Sequence, residues 1–157
     1  MVNPKYLYRS EEKLLVFEFV SEGPKGNIKK MVIYTETSTE NVYNLAFGDF
    51  DDDTNKINDL SITNNGDSLK VLSTVASTVY AFIDKHPNAY ILPTGSTSVR
   101  TRLYRMGITN NLAEINVDFE VYGLNENGNW EDFITGEDYE AFLITKKNNT
   151  FVSCQRQ

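Results

Sequence analysis

The sequence predicts a single α+β domain in which a curved antiparallel sheet carries two helices. Alternating apolar and polar residues mark several short strands, and one long stretch has apolar residues three and four positions apart. The patterns follow the order β-meander, helix, strand, helix and β-hairpins, which favours an α+β fold. We therefore place one domain at residues 1–147, and we expect residues 148–157 to form a polar, frayed C-terminal tail.

The first half of the chain is predicted to be an antiparallel meander. Its segments are rich in β-branched and aromatic residues, and turn residues such as Gly23-Pro24 separate them. The predicted strands cover residues 13–21, 28–37, 41–47 and 57–62. The acidic run at 49–53 lacks the glycine and glutamate of a calcium-binding EF-hand loop, so we interpret it as a solvated loop.

A long amphipathic helix follows the turn at residues 64–67. Apolar residues recur at helical spacing from Leu69 to Ile83, Asp67 is a good N-cap, and Pro87 ends the segment. An apolar face this broad requires a sheet to cover it. Hydroxyl residues at positions 73, 74, 77 and 78 are predicted to occupy most of the opposite side.

Shorter segments make up the second half. A short apolar run precedes a turn, and a second helix is predicted near 97–109, with Gly107 and Asn110-Asn111 ending it. Alternation from Ile115 to Val121 then predicts a strand. The remaining predicted strands cover residues 89–92, 130–133 and 139–145.

Composition excludes several classes of function. The chain has one cysteine and one histidine, which rules out a disulfide framework and a zinc site rich in these residues. No apolar stretch approaches the ~20 residues of a membrane span and no signal core is visible, so we expect a soluble, cytoplasmic protein without a membrane partner. A net charge of -7 disfavours general binding to nucleic acid.

The predicted start of the second helix is the strongest candidate site. Gly95, Ser96 and Thr97 lead into a helix whose first turns carry Arg100, Arg102 and Arg105. Unpaired amides at a helix N-terminus, together with arginines, are typical of an anion or phosphate site. These six residues are therefore our candidate ligand-binding residues.

A structural role for the arginines is the main alternative. Helical geometry puts Arg100 and Arg102 on opposite sides of the apolar stripe, with Arg105 further towards solvent, so the three form no continuous basic face. This interpretation pairs Arg100 and Arg102 with carboxylates such as Asp118 or Glu120.

Six strings of the sequence are distinctive: FVSEGPKG (19–26), YNLAFGD (43–49), TNNGD (63–67), GSTSVRTRLY (95–104), DFEVYG (118–123) and YEAFL (139–143). Together they resemble an uncharacterised family of small bacterial proteins, a domain of unknown function. The resemblance spans most of the chain and implies one compact domain, but no activity, ligand or catalytic residue.

The function predicted from these observations is a non-catalytic binding module without a cofactor, whose partner is a small anionic ligand or a protein. One alternative is a Mg²⁺-dependent nucleotide-handling enzyme, because Gly95-Ser96 and two acids on one strand face, Asp118 and Glu120, are similar to a nucleotidyltransferase site. A wider spacing than in that family weakens this alternative. The other is a single-stranded nucleic-acid binder that uses exposed sheet aromatics with the arginines.

Overall fold

The computed structural model describes residues 3–57, 64–93 and 97–147 and places two helices against a mostly antiparallel, open sheet of nine strands. This confirms the predicted α+β class. The strands are β1 (Arg9–Ser10), β2 (Val16–Gly23), β3 (Gly26–Glu36), β4 (Val42–Asp51), β5 (Lys56–Ile57), β6 (Tyr90–Pro93), β7 (Phe119–Leu124), β8 (Trp130–Asp132) and β9 (Ala141–Lys146), and the helices are α1 (Ser68–Lys85) and α2 (Ser98–Asp118). Most of the predicted fourth strand, and the predicted tail at 148–157, lie outside the described residues.

The sheet has the strand order β1-β2-β3-β4-β6-β9-β7-β8, with β5 attached to β4. Strand β4 pairs with β6 in parallel, Val42 opposite Tyr90, and the other described pairs are antiparallel. A parallel pair needs a crossover connection, and α1 supplies it. Since α1 follows β4 and β5 and α2 follows β6, both helices begin at the carboxyl-end side of this parallel pair.

Both helices pack on one face of the sheet, and aromatic residues form much of the core. Phe82 of α1 stacks on Tyr34 of β3, with ring centroids 4.1 Å apart. Phe47 of β4 meets Tyr104 of α2 edge to face at 5.5 Å. These four side chains are each at most 4% exposed, so the helices are held on the sheet by apolar burial.

Three of the four hydroxyl residues on α1 are buried, contrary to the prediction that they form a polar side opposite the apolar face. Ser73, Thr74 and Thr78 are at most 1% exposed. Thr78 shares a hydrogen bond of 2.8 Å with the hydroxyl of Tyr34, and Ser73 donates one of 3.2 Å to the side-chain oxygen of Asn111 in α2. The helix is therefore covered by the sheet on one side and by α2 on another, and its buried hydroxyls have partners in both.

Helix α2 is longer than predicted, because the residues expected to end it are packing residues. A Cβ added to Gly107 would lie 3.3 Å from the Cβ of Leu72, so this glycine allows α1 and α2 to approach closely. Asn111 is 2% exposed and donates to the carbonyl of Gly107 at 2.8 Å. The predicted strand from Ile115 is wrong as far as Asp118, which is still helical.

The opposite face of the sheet carries a smaller apolar cluster, with no helix of the described residues on it. Its buried members are Tyr90, Tyr122 and Leu143, and Trp130 packs against them, half-buried. Neither of the two described helices is long and apolar enough to cross a membrane.

Candidate functional site

The first turn of α2 has an ordinary N-terminal cap. Thr97 has an extended backbone, and its side-chain oxygen accepts a hydrogen bond of 3.3 Å from the backbone N–H of Arg100. No acidic residue lies in this first turn, so the positive end of the helix dipole is not neutralised locally. Gly95 and Ser96, predicted to contribute to the same site, lie outside the described residues.

Arg100 points into the protein. Its side chain is 3% exposed, and its guanidinium donates a hydrogen bond to the backbone carbonyl of Phe47 in β4. The predicted pairing with Asp118 or Glu120 is wrong. Asp118 lies 18 residues further along the same helix, or about 27 Å away at 1.5 Å per residue, and the carboxylate of Glu120 accepts from the hydroxyl of Tyr122 at 2.9 Å. Arg100 is therefore structural, with a partner that the sequence did not indicate.

The other two arginines of the cluster lie on the outer side of α2. Arg105 forms an ion pair with Asp138, whose side chain is 94% exposed. Arg102 is exposed and, within residues 3–57, 64–93 and 97–147, has neither a hydrogen bond nor an ion pair. The structure thus separates the three residues into one buried anchor, one surface ion pair and one solvated cation.

A groove runs along the outer side of α2, between its first two turns and residues 138–140. It is open to solvent, has a volume of about 610 Å³, and is lined by Ser98, Thr101, Arg102, Arg105, Asp138 and Glu140 among others. Ser98 and Arg102 are four positions apart on the helix and therefore share one side of it. We call this groove the α2 groove. Three of the six candidate residues line it: Thr97, Arg102 and Arg105.

The two acidic candidates, Asp118 and Glu120, do not form the predicted metal site. Asp118 ends α2 and Glu120 lies in β7, so they do not share the face of one strand. In the part of the chain that the structure describes, no group of three or more histidine, cysteine, aspartate or glutamate side chains is placed to hold a metal ion.

Comparison with protein families identifies a model that covers most of the chain. The model of DUF6934, a family of unknown function, matches residues 2–147. The chain belongs to this family. No curated protein and no solved structure matches the chain. Membership in DUF6934 therefore supports the predicted resemblance to a domain of unknown function and leaves the activity to be argued from the site.

Two of the strings that carried the resemblance meet at one corner of this DUF6934 domain. Asn65, 2% exposed, accepts a hydrogen bond of 2.7 Å from the backbone N–H of Lys25 and donates one of 2.8 Å to the carbonyl of Gly26. A Cβ on Gly23 would overlap the backbone of Asn65. Asn65 thus fixes the turn between β2 and β3, a contact that the sequence did not predict.

Asp67 is the next residue of this corner. Its Oδ2 accepts hydrogen bonds of 2.5 Å from both the Tyr6 and the Ser21 hydroxyls. The Asp67 side chain accepts no hydrogen bond from the backbone N–H groups in the first turn of α1. Burial, and then the hydrogen bond to Asp67, raise the pKa of Tyr6. The carboxylate therefore ties the N-terminal segment and β2 to the start of α1, instead of capping the helix as predicted.

A buried ion pair completes the corner. Lys30 of β3 is 1% exposed and forms a salt bridge with Asp49 of β4, its neighbour in the register. The prediction of a solvated loop at 49–53 is wrong for Asp49, which lies within β4 with a side chain only 14% exposed. Periodicity gave no signal for this pair, because the register between β3 and β4 decides which residues are opposite each other.

Proposed function

We propose that this protein is a non-catalytic, cytoplasmic binding module without a cofactor, whose ligand presents a carboxylate or phosphate group to the α2 groove. The observation that supports the proposal is Arg102, which has no partner among the described residues and lines a groove at the positive end of α2. An arginine without an internal partner in such a position is available to a negatively charged ligand. Arg100, by contrast, has a structural role and is removed from the proposed contact residues.

The surroundings of Arg102 favour an anion over a cation. Ser98, on the same side of the helix, is exposed and adds a hydroxyl donor. Thr97 and Thr101 line the same wall, and no acid lies in the first turn. Asp138 on the opposite wall is already paired with Arg105, which leaves Glu140 as the acidic residue of the lining without an ion pair among the described residues. An anionic group is therefore expected on the α2 side of the groove.

Binding of single-stranded nucleic acid is less well supported. That hypothesis needs exposed aromatic rings on the sheet for base stacking. Every tyrosine, phenylalanine and tryptophan in the described residues is buried or half-buried. The enzyme hypothesis keeps a direct test, since Mg²⁺-dependent nucleotide turnover that is lost in Asp118→Ala would establish it and refute our proposal.

Titration with inorganic phosphate, followed by the backbone amide resonances of ¹⁵N-labelled protein, tests the proposed site. We expect shifts at Ser98, Val99 and Thr101 with a dissociation constant of about 1–10 mM. Arg102→Gln should weaken binding about fivefold, because it removes a charged donor at a solvated site.

The matched control is Arg9→Gln. Arg9 is 88% exposed and lies on β1, so this variant has the same change in net charge without touching the groove. Its phosphate affinity should equal that of the wild type. Equal weakening in both variants, or phosphate shifts that do not include the first turn of α2, would show that the groove is not the binding site.

A further inference from the structure

A second cavity lies beside the corner formed by Asn65, Asp67 and Lys30. It has a volume of about 190 Å³ and lies between the first turns of α1 and α2, above β3 and β4. We call it the inter-helix cleft. Val99 stands at the rim that it shares with the α2 groove, and Arg102 does not line it.

The walls of the inter-helix cleft are mainly apolar. Phe47, Val71, Leu72 and Leu103 provide most of them, and the polar end includes Asp67 and Ser68. A volume of 190 Å³ corresponds to about six waters at liquid density, which is the room needed by one substituted six-membered ring. Its position, on the carboxyl-end side of the parallel pair β4 and β6, is where open α/β sheets place their ligands.

Asp67 lines the polar end of the inter-helix cleft and has one unused acceptor oxygen. Both of its hydrogen bonds go to Oδ2, from Tyr6 and Ser21, and its Oδ1 accepts none from the described residues. No described lysine or arginine forms a salt bridge with Asp67, and Lys30, which also lines the cleft, is paired with Asp49. A ligand that donates a hydrogen bond to Oδ1 would use this acceptor.

The charges around the inter-helix cleft decide the charge of such a ligand. The carboxylate of Asp67 repels an anion. Two helix N-termini, each equivalent to about half a positive charge, offset that carboxylate and disfavour a cation, while Lys30 and Asp49 compensate each other's charge. We propose that the cleft binds an uncharged small molecule with a ring-sized apolar body and an amide or hydroxyl group that donates a hydrogen bond to Asp67.

Three probes of nearly the same shape test this proposal: benzamide is neutral, benzoate is negative and benzamidine is positive. In titrations followed by backbone amide resonances, benzamide should shift Ser68, Val71, Val99 and Leu103 with a dissociation constant of about 1–10 mM. Benzoate and benzamidine should bind there about tenfold more weakly. Either charged probe binding as tightly as benzamide, or no shift of these amides at about 10 mM benzamide, would overturn the proposal.

Matched variants localise the binding. Val99 is 57% exposed, so Val99→Phe narrows the inter-helix cleft from its rim without disturbing the core, and it should abolish the benzamide shifts. Val117→Phe, at a 68% exposed position near the other end of α2, should leave them unchanged. Arg102→Gln should also leave benzamide binding unchanged, which separates this site from the α2 groove. Benzamide binding that survives in Val99→Phe would place the ligand elsewhere and refute the proposal.

Discussion

Replacing Arg100 with alanine tests the division of the arginine cluster into a buried anchor and a solvated cation. Loss of a buried, charged hydrogen bond to the Phe47 carbonyl costs about 1.5–3 kcal/mol. The vacated space of a side chain that is 3% exposed adds about 2 kcal/mol. We therefore expect Arg100→Ala to lower the free energy of unfolding by about 4 kcal/mol. For a chain of 157 residues, that is a fall in Tm of about 8–16 °C.

The comparison with Arg102→Ala makes this prediction specific. Both variants remove one positive charge from the same helix, but Arg102 is exposed, so its replacement should change the free energy of unfolding by at most about 0.5 kcal/mol. Urea denaturation followed by far-ultraviolet circular dichroism measures both values on one scale. If Arg100→Ala unfolds at the wild-type urea concentration, or if both variants lose equal stability, the structural assignment of Arg100 is wrong.

Three further predictions concern other parts of the fold. Gly123→Ala should lower stability by about 1–3 kcal/mol, because its Cβ would overlap the ring of Tyr139; a wild-type Tm would contradict this close packing. Burial raises the pKa of Tyr80 to about 12, so this tyrosine should ionise well above the usual pH of 10 in an ultraviolet titration. Its contribution to stability should be complete below pH 10 and should be lost as the pH rises through about 12. The hydrogen bond from Asn125, followed by that from Tyr139, lowers the pKa of Glu131 below its usual value of 4.5. Glu131→Gln should therefore destabilise the protein at pH 7, and its difference from wild type in free energy of unfolding should shrink as the pH falls below 4.5. A difference that is the same at both ends of this range would refute the last prediction.

The sequence predicted elements well where one face of a segment is buried and the other is exposed. The alternation at residues 13–21 and the helical spacing from Leu69 to Ile83 correspond to β2 and α1 within a few residues. In such segments the period of the apolar residues is the period of the backbone, so it can be read without knowledge of the neighbours.

Prediction failed where a polar or small residue faces the core. Asn110-Asn111 predicts the end of a helix, but the amide of Asn111 is buried between α1 and α2, where it accepts a hydrogen bond from Ser73 and donates one to the carbonyl of Gly107. With Asn111 on the inner side and Val117, 68% exposed, on the outer side, the helical period of α2 is hidden and a short alternation imitates a strand. Tertiary hydrogen bonds make these exceptions stable, and a single sequence does not contain them.

For the candidate site, the sequence predicted the location but not the role of each residue. Its location at the start of α2 followed from local signals, because a turn before a helical stripe and a cluster of arginines are properties of neighbouring residues. The role of each arginine did not follow from such local signals. Arg100 is buried because α2 crosses β4 at the Phe47 carbonyl, 53 residues away along the chain, whereas Arg102 is two positions further round the helix and faces solvent.

For this protein, composition and periodicity alone determined the α+β class, the two helices, the meander and the exclusion of disulfide and histidine-rich metal chemistry. Packing decided the parallel pairing of β4 with β6, the full length of α2 and the burial of Lys30 against Asp49. It also decided that the side chain of Asp67 accepts hydrogen bonds from Tyr6 and Ser21 and does not cap α1. The physical reason is the range of the interactions. Backbone period and turn chemistry act between residues a few positions apart, whereas burial and the partners of buried polar groups depend on strands and helices that meet only in the folded chain.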